Sequence, residues 1–318
     1  MWRRLLTRRL LLGVLTLWLV SVVVFAATQA LPGDAAVAIL GKDATPDSVA
    51  ALTRQLRLDE PVLAQYWHWL SGVVTGDFGI SAATQESVWS LLSERVANSA
   101  FLVALAAAIA IPLSLALGVL MAIRRDRPSD HVLSTGTLVL AALPEFVIGI
   151  GLVLLFATSV FHVLPAVSLL APGQHAWQHL DVVVLPAATL VLAVTPYISR
   201  IMRGSMVEVL QSDYVTMARL KGLPERAVIW RHAVPNALVP AIQVIALQLG
   251  WMAGGIVVVE FVFSYPGIGA SLVNAVANRD LPVVQALTLL IAGVYVLVNL
   301  LADVATILVT PRLRTAGR

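Results

Sequence analysis

Six stretches of this 318-residue chain are apolar almost without interruption, at about 10–30, 99–123, 132–161, 182–202, 238–263 and 283–310. Each is long enough to cross a bilayer, for which roughly 20 residues suffice. Inside lipid every backbone N–H and C=O must be paired within the protein, which leaves helices or a closed barrel. The runs do not alternate polar and apolar residues as barrel strands do. An all-α, polytopic membrane protein with six transmembrane helices remains. Composition agrees, with 59% hydrophobic and 12% charged residues, against about 25% charged in an ordinary soluble domain.

The absence of cysteine removes disulfides, thiol catalysis and cysteine metal sites. A net charge of +3 and a pI near 9.6 raise the question of nucleic acid. The basic residues lie in short loops beside apolar runs, so no nucleic-acid partner is expected and the bilayer accounts for them. On the side of the N-terminus lie Arg3, Arg4, Arg8, Arg9, Arg124, Arg125, Arg127, Arg200, Arg203, Arg219, Lys221, Arg226, Arg231, Arg312, Arg314 and Arg318, sixteen of the 21 Lys and Arg. Lys42, Arg54, Arg57, Arg95 and Arg279 lie opposite. This bias predicts that both termini are cytoplasmic, and six spans is the even number that a shared side requires. Residues 10–27 follow four arginines as in a signal peptide, but they exceed the roughly 7–15 apolar residues of a cleavable one. We expect an uncleaved first span.

Residues 32–97 form the one large external segment. Leu31-Pro32-Gly33-Asp34 is a turn signal. Thr45 is placed to cap a helix that Pro46 begins, with Ser48 where a capping box prefers an acid. Pro61 opens a second helix, whose Tyr66, Trp67 and Trp69 suit a membrane–water interface. A small cap on the helix bundle is expected here rather than an independent receptor domain.

Between spans four and five, residues 203–236 read as a polar hairpin. An amphipathic helix over 206–220 is followed by a reversal at Gly222. Pro224 opens a second short helix ending near His232, and Pro235 marks the entry to span five. Tyr214, Met217 and Ala218 are expected along an exposed ridge flanked by Arg219 and Lys221, a shape suited to a partner's groove.

Here the chain resembles the integral membrane permeases of ABC importers. Their cytoplasmic loop reads Glu-Ala-Ala, three residues, Gly, nine residues, Ile-x-Leu-Pro. Gly222 and Pro235 keep the separation and Ala218 matches the second Ala, while Thr216, Met217, His232 and Val234 replace the Glu, the first Ala, the Ile and the Leu. Further islands are similar to the first permease subunit of the dipeptide/oligopeptide/nickel importers. They are Leu31–Asp34, Leu58–Pro61 with Gln65-Tyr66, Gly76–Ser81, Asp213–Thr216 with Ala218–Gly222, Gly254-Gly255 with Val257–Glu260, Tyr265–Gly269, Arg279–Gln285 and Pro311–Arg314.

The resemblance implies a type I ABC-importer permease fold, with a five-helix core and an outer N-terminal helix. Residues 1–31 would be that outer helix, 32–97 an external scaffold, 98–310 the core and 311–318 a cytoplasmic tail. It also implies that Asp213, Tyr214, Thr216, Met217, Ala218, Arg219, Lys221 and Gly222 form a coupling helix seated in an ATPase. The implied partners are a homologous second permease, two ATPase subunits and an extracytoplasmic substrate-binding protein, in a bacterial plasma membrane. ATP and Mg would be held by the ATPases, and no cofactor by this chain.

Several residues are candidates for the path or its gate. Glu145, after Pro144, falls midway along span three. It either meets a cationic group of the substrate or fills the backbone gap that Pro144 opens. Gly254 and Gly255 favour close helix packing between subunits over pore lining. Glu260, before the Tyr265-Pro266-Gly267 turn, is expected near water in a weak pair with Arg279, beside Asp280, as an outer gate. His162, His175 and His179 lack a fixed acid partner, so no metal site is expected.

The only Gly-Lys pair, Gly41-Lys42, lacks the surroundings of a phosphate-binding loop, so energy must come from outside. A stand-alone proton-coupled carrier using Glu145 has no use for the hairpin. An intramembrane enzyme lacks His-Glu-x-x-His, Gly-x-Ser-x-Gly or paired aspartates in the spans. Under the resemblance the cargo is a di- or oligopeptide, with nickel or another peptide-like solute as the alternative.

Overall fold

The computed structural model describes residues 2–30, 44–55, 59–171 and 173–309. The turn expected at Leu31–Asp34, the island residue Leu58, Pro172 and the tail 311–318 lie outside the described residues. The described residues contain helices and no strands, apart from one isolated bridge between Ile80 and Ser87. Five helices are long and apolar enough to cross a membrane, and a sixth span is a broken pair.

The helix α1 spans Trp2–Gln29. Two short external helices follow, α2 at Pro46–Gln55 and α3 at Val62–Thr75. Thr45 and Ser48 form the expected reciprocal cap, Ser48 N–H donating to Thr45 Oγ1 (3.2 Å) and Thr45 N–H to Ser48 Oγ (2.9 Å). A long α4 covers Val88–Ile123, so it begins inside the segment read as external.

The third run is not one helix. It breaks into α5, Pro128–Ala142, and α6, Glu145–Val153 with a π turn Leu154–Thr158, bent by 106°. The cause is local. Pro144 has no N–H, and its ring forces Leu143 into an extended conformation (φ −92°, ψ 132°).

The fourth span, α7, runs from Leu180 to Leu210 and exceeds the expected 182–202. It stops at Gln211-Ser212, so the single helix expected over 206–220 is two. The second piece is α8, Asp213–Leu220. A turn at Glu225–Ala227 and a π segment Val228–Ala233 then lead without a break into α9, Val234–Phe263. The second short helix therefore does not end near His232. The chain closes with α10, Ile268–Ala277, and α11, Leu281–Val309.

Packing centres on α7, which lies against α4, α5, α6 and α9. Lipid tails are as apolar as leucine, so close fit rather than escape from water selects the contacts. Small residues supply it. A Cβ on Gly118 of α4 would strike Met202 and the Ser199 carbonyl of α7, and one on Gly250 of α9 would press on Tyr295 of α11. Leu102, Ala106, Leu190, Val194, Met252, Ile256 and Phe263 fill the space between α4, α7 and α9. The first helix stands outside this core, as expected. It packs on α11, where Gly13 meets Val296, and on α3 through Phe25 with Tyr66 and Trp69.

Candidate functional site

The two ends of the bundle carry the polar chemistry. One bears Arg124, Arg125, Arg127 and the 203–236 hairpin and is called the basic end; the other is the far end.

At the basic end, α8 closes with its last carbonyls satisfied by the turn that follows. Gly222 N–H donates to Arg219 O (2.9 Å) and Leu223 N–H to Ala218 O (3.3 Å), with Gly222 left-handed at φ +77°. Arg219 folds back across this turn. Its Nε and Nη2 grip both oxygens of Glu225 (3.2 and 2.8 Å), and Nη1 reaches Leu210 O (3.3 Å). Arg219 is thus an internal staple, not the free flank expected of it. An exposed pair of this kind contributes about 0–1 kcal/mol, so it sets geometry more than stability.

Ala218 also differs from expectation. It is buried with Val215 and Val228, on the side that holds the hairpin together. The outward ridge is Tyr214, Met217 and Leu220, at 46%, 57% and 76% exposure. Positions 214, 217, 218 and 221 share one side only roughly; the i, i+3, i+6 set is what faces out. Asp213, Thr216 and Lys221 are exposed beside it.

Asp130, absent from the sequence reading, anchors the same end. It is 1% exposed and takes both Nε and Nη2 of Arg203 (2.8 and 2.7 Å), joining α5 to α7. Asp126 N–H and Ser134 Oγ also donate to it, each at 3.1 Å. The signal was legible: an acid two residues after a helix-opening Pro128, with arginines at the same end of an adjacent span.

At the far end Glu260 is fully buried, not near water, and its carboxylate is not held by Arg279. It accepts from Ser99 Oγ and from Gly269 N–H (2.6 Å) and Ala270 N–H (3.3 Å), the unpaired donors of the first turn of α10. Ile268 N–H donates to Ser99 Oγ (2.9 Å). The glycines of Tyr265-Pro266-Gly267-Ile268-Gly269 now have a steric reason. A Cβ at Gly267 would fall on the Glu260 carboxylate, and one at Gly269 on the backbone of Val257.

Tyr265 is buried too, its hydroxyl donating to Asn98 O (2.8 Å). Burial, with the nearby Glu260 carboxylate, pushes that hydroxyl above the ordinary phenol range, so it stays a donor. Asp280 accepts from Ser81 Oγ and from Ala82 N–H (3.1 Å), pinning the end of the Gly76–Ser81 island to the start of α11. Arg279 occupies a left-handed conformation at φ +55°.

The structure therefore gathers Glu260, Tyr265 and Asp280 at the far end and the residues of the expected coupling helix at the basic end. It separates both from Pro144 and Glu145, which sit at the knee between α5 and α6. Gly254 is open on its outer face, while a Cβ on Gly255 would meet only Trp251 of its own helix. Neither meets another helix among the described residues; Gly250 does. His175 stacks on Trp177, ring centroids 4.2 Å apart, and no group of three metal-ligating side chains lies together among the described residues.

Residues 114–315 match the family described as binding-protein-dependent transport system inner membrane component, and residues 1–103 match its N-terminal counterpart. The probable peptide ABC transporter permease protein y4tP of Sinorhizobium fredii (strain NBRC 101917 / NGR234) is 38% identical over 307 residues, 96% of this chain and 98% of that protein. The glutathione transport system permease protein GsiC of Escherichia coli (strain K12) is 36% identical over 307 residues, 96% of this chain and 97% of its own. GsiC of Shigella flexneri serotype 5b (strain 8401) matches to the same extent. The chain belongs to this family: it is a multi-pass inner-membrane permease of the peptide type of ABC importer, and not an enzyme.

Proposed function

We propose that the chain carries short peptides inward, as one of two homologous permeases, driven by ATP hydrolysis on separate ATPase subunits. The observation that carries this reading is the stapled hairpin with its apolar ridge. Leu220 at 76% exposure and Met217 at 57% gain nothing by facing water, and a groove in a partner would cover them. Motion imposed on α8 reaches the membrane directly, because the hairpin continues into α7 on one side and α9 on the other.

With the hairpin in the cytoplasm, the charge bias puts both termini there and the far end toward a substrate-binding protein. ATP and Mg belong to the ATPases, and this chain binds no cofactor. ATPase closure would draw two such hairpins together and rock the spans between inward- and outward-open states, two conformations biased by differential contacts. Glutathione, named for one group of relatives, is itself a tripeptide and falls within the reading.

The test is a double variant, Tyr214→Asp with Met217→Asp, in the assembled importer. Uptake should fall by about tenfold or more, since burying two carboxylates in an apolar groove is costly. The chain should remain folded in the membrane. Normal ATP-driven uptake by this variant would defeat the proposal, and so would uptake that needs no ATPase.

A further inference from the structure

Glu145 stands at the knee of the broken third span, and the two roles the sequence leaves open for it can now be separated. The gap made by Pro144 closes without its side chain. Leu143 N–H donates to Leu140 O (3.3 Å), and Val147 and Ile148 N–H both donate to Pro144 O (3.0 and 3.2 Å). The Glu145 carboxylate has no hydrogen-bond or ion-pair partner among the described residues, and it is half-buried.

The knee is deep. The Tyr197 hydroxyl donates to Ala141 O (3.4 Å), which places the knee against α7 seventeen residues after Leu180 and thirteen before Leu210. At 1.5 Å per residue those ends are about 25 and 20 Å away. The apolar run of α7 itself ends near 202, about 8 Å past Tyr197, so the knee lies in the basic-end half of the bilayer. A lone carboxylate at such depth faces a wet cavity or a partner, not lipid.

The surface beside it answers which. From the knee to the basic end, α7 exposes Tyr197, Arg200, Ile201, Gly204 and Glu208. These recur at i, i+3, i+4, i+7 and i+11, one continuous face of the helix. Three of the five, Tyr197, Arg200 and Glu208, are polar side chains suited to water, with Ile201 and Gly204 between them. The outward face of α5 is mixed, with His131, Thr135 and Gly136 beside Val132, Leu138 and Val139, and no charged residue stands on it between Val132 and Ala142.

We infer that Glu145 and this strip of α7 line the basic-end half of a water-filled route, where Glu145 takes the ammonium group of a free-ended peptide and Arg200, one turn along, its carboxylate. The inference rests on the importer reading and names the residues that would meet the cargo.

Two measurements on the whole importer in liposomes test it. The chain has no cysteine of its own, so single cysteines report cleanly. Ile201→Cys and Gly204→Cys should react with a charged, membrane-impermeant methanethiosulfonate at least about tenfold faster than Val139→Cys, since thiolate reactivity follows access. Modification is read as mass added to this chain. Equal rates, or an unreactive strip, would overturn the route.

Next, uptake of Ala-Ala-Ala relative to its N-acetylated form, which lacks the terminal ammonium, is measured with saturating loaded binding protein, so that delivery cancels. Glu145→Gln should lower that ratio about tenfold, the scale of one charge contact, and Glu145→Asp should restore it. An unchanged ratio would overturn the role of Glu145. So would a Glu145→Gln chain that no longer co-purifies with the second permease, which would assign the carboxylate to the subunit interface. If the unmodified importer moves neither tripeptide, the peptide reading itself fails, and the labelling still decides the route.

Discussion

Two turns of this molecule share one backbone solution and differ in nearly everything else. At the end of α8, Gly222 and Leu223 donate back to Arg219 and Ala218; at the end of α10, Arg279 and Asp280 donate back to Val276 (3.2 Å) and Ala275 (2.9 Å). Both turns need a left-handed residue. The basic end uses glycine, which adopts that conformation freely, and the far end uses arginine, which does so at a cost of roughly 1–2 kcal/mol.

Their surroundings diverge further. The hairpin is held by the buried trio Val215, Ala218 and Val228 and by one exposed ion pair. The far turn is wired through buried polar bonds to residues 199 and 161 positions away, Asp280 to Ser81 and Glu260 to Ser99. One end keeps its shape locally and leaves its outer surface free for contact. The other fixes its shape through the rest of the chain.

The largest effect should come from cutting the far-end wiring. Glu260→Ala strands the Ser99 hydroxyl and two helix N–H groups in a buried site, at about 3 kcal/mol or more. Loss of folded protein after detergent extraction is the readout, and a fully stable variant would erase the contrast between the ends.

A smaller test exchanges the two turns. Gly222→Ala meets no atom within 4 Å, so it should cost only the strain of the backbone, about 1 kcal/mol. Arg279→Gly should change stability by a similar amount in the opposite sense. If both destabilise, the Arg279 side chain contributes more than its backbone costs. The smallest effect belongs to Arg219→Ala, below about 1 kcal/mol. A larger loss of thermal stability would mean the hairpin is less self-sufficient than its buried trio implies.

Much of this was readable from the letters. Run length gives five of the spans as single helices, and Gly222 with Pro224 gives the reversal of the hairpin, because each acts locally. What escaped depends on contacts between distant segments. Glu260 reads as an end-of-helix acid near water until α10 folds back and offers its N–H groups. Ala218 reads as a ridge residue until Val228 returns to cover it.

The break at Pro144 lay between. The proline is visible, but an isolated proline in a membrane helix often only kinks it, and a 106° bend needs α7 and α9 to receive the second half. Asp130 was overlooked because its partner Arg203 was counted only as an orienting charge.

The overlap between a β-carbon at Gly267 and the Glu260 carboxylate has an evolutionary corollary. Neither position is free to drift by itself. An alanine at 267 becomes admissible only once the acid has shortened or vanished, and a long acid at 260 condemns its neighbour to remain bare. Among descendants of this gene the two sites should mutate as a couple, so a tally of sequence pairs could reveal the fold of the outer turn to someone who had never seen its shape.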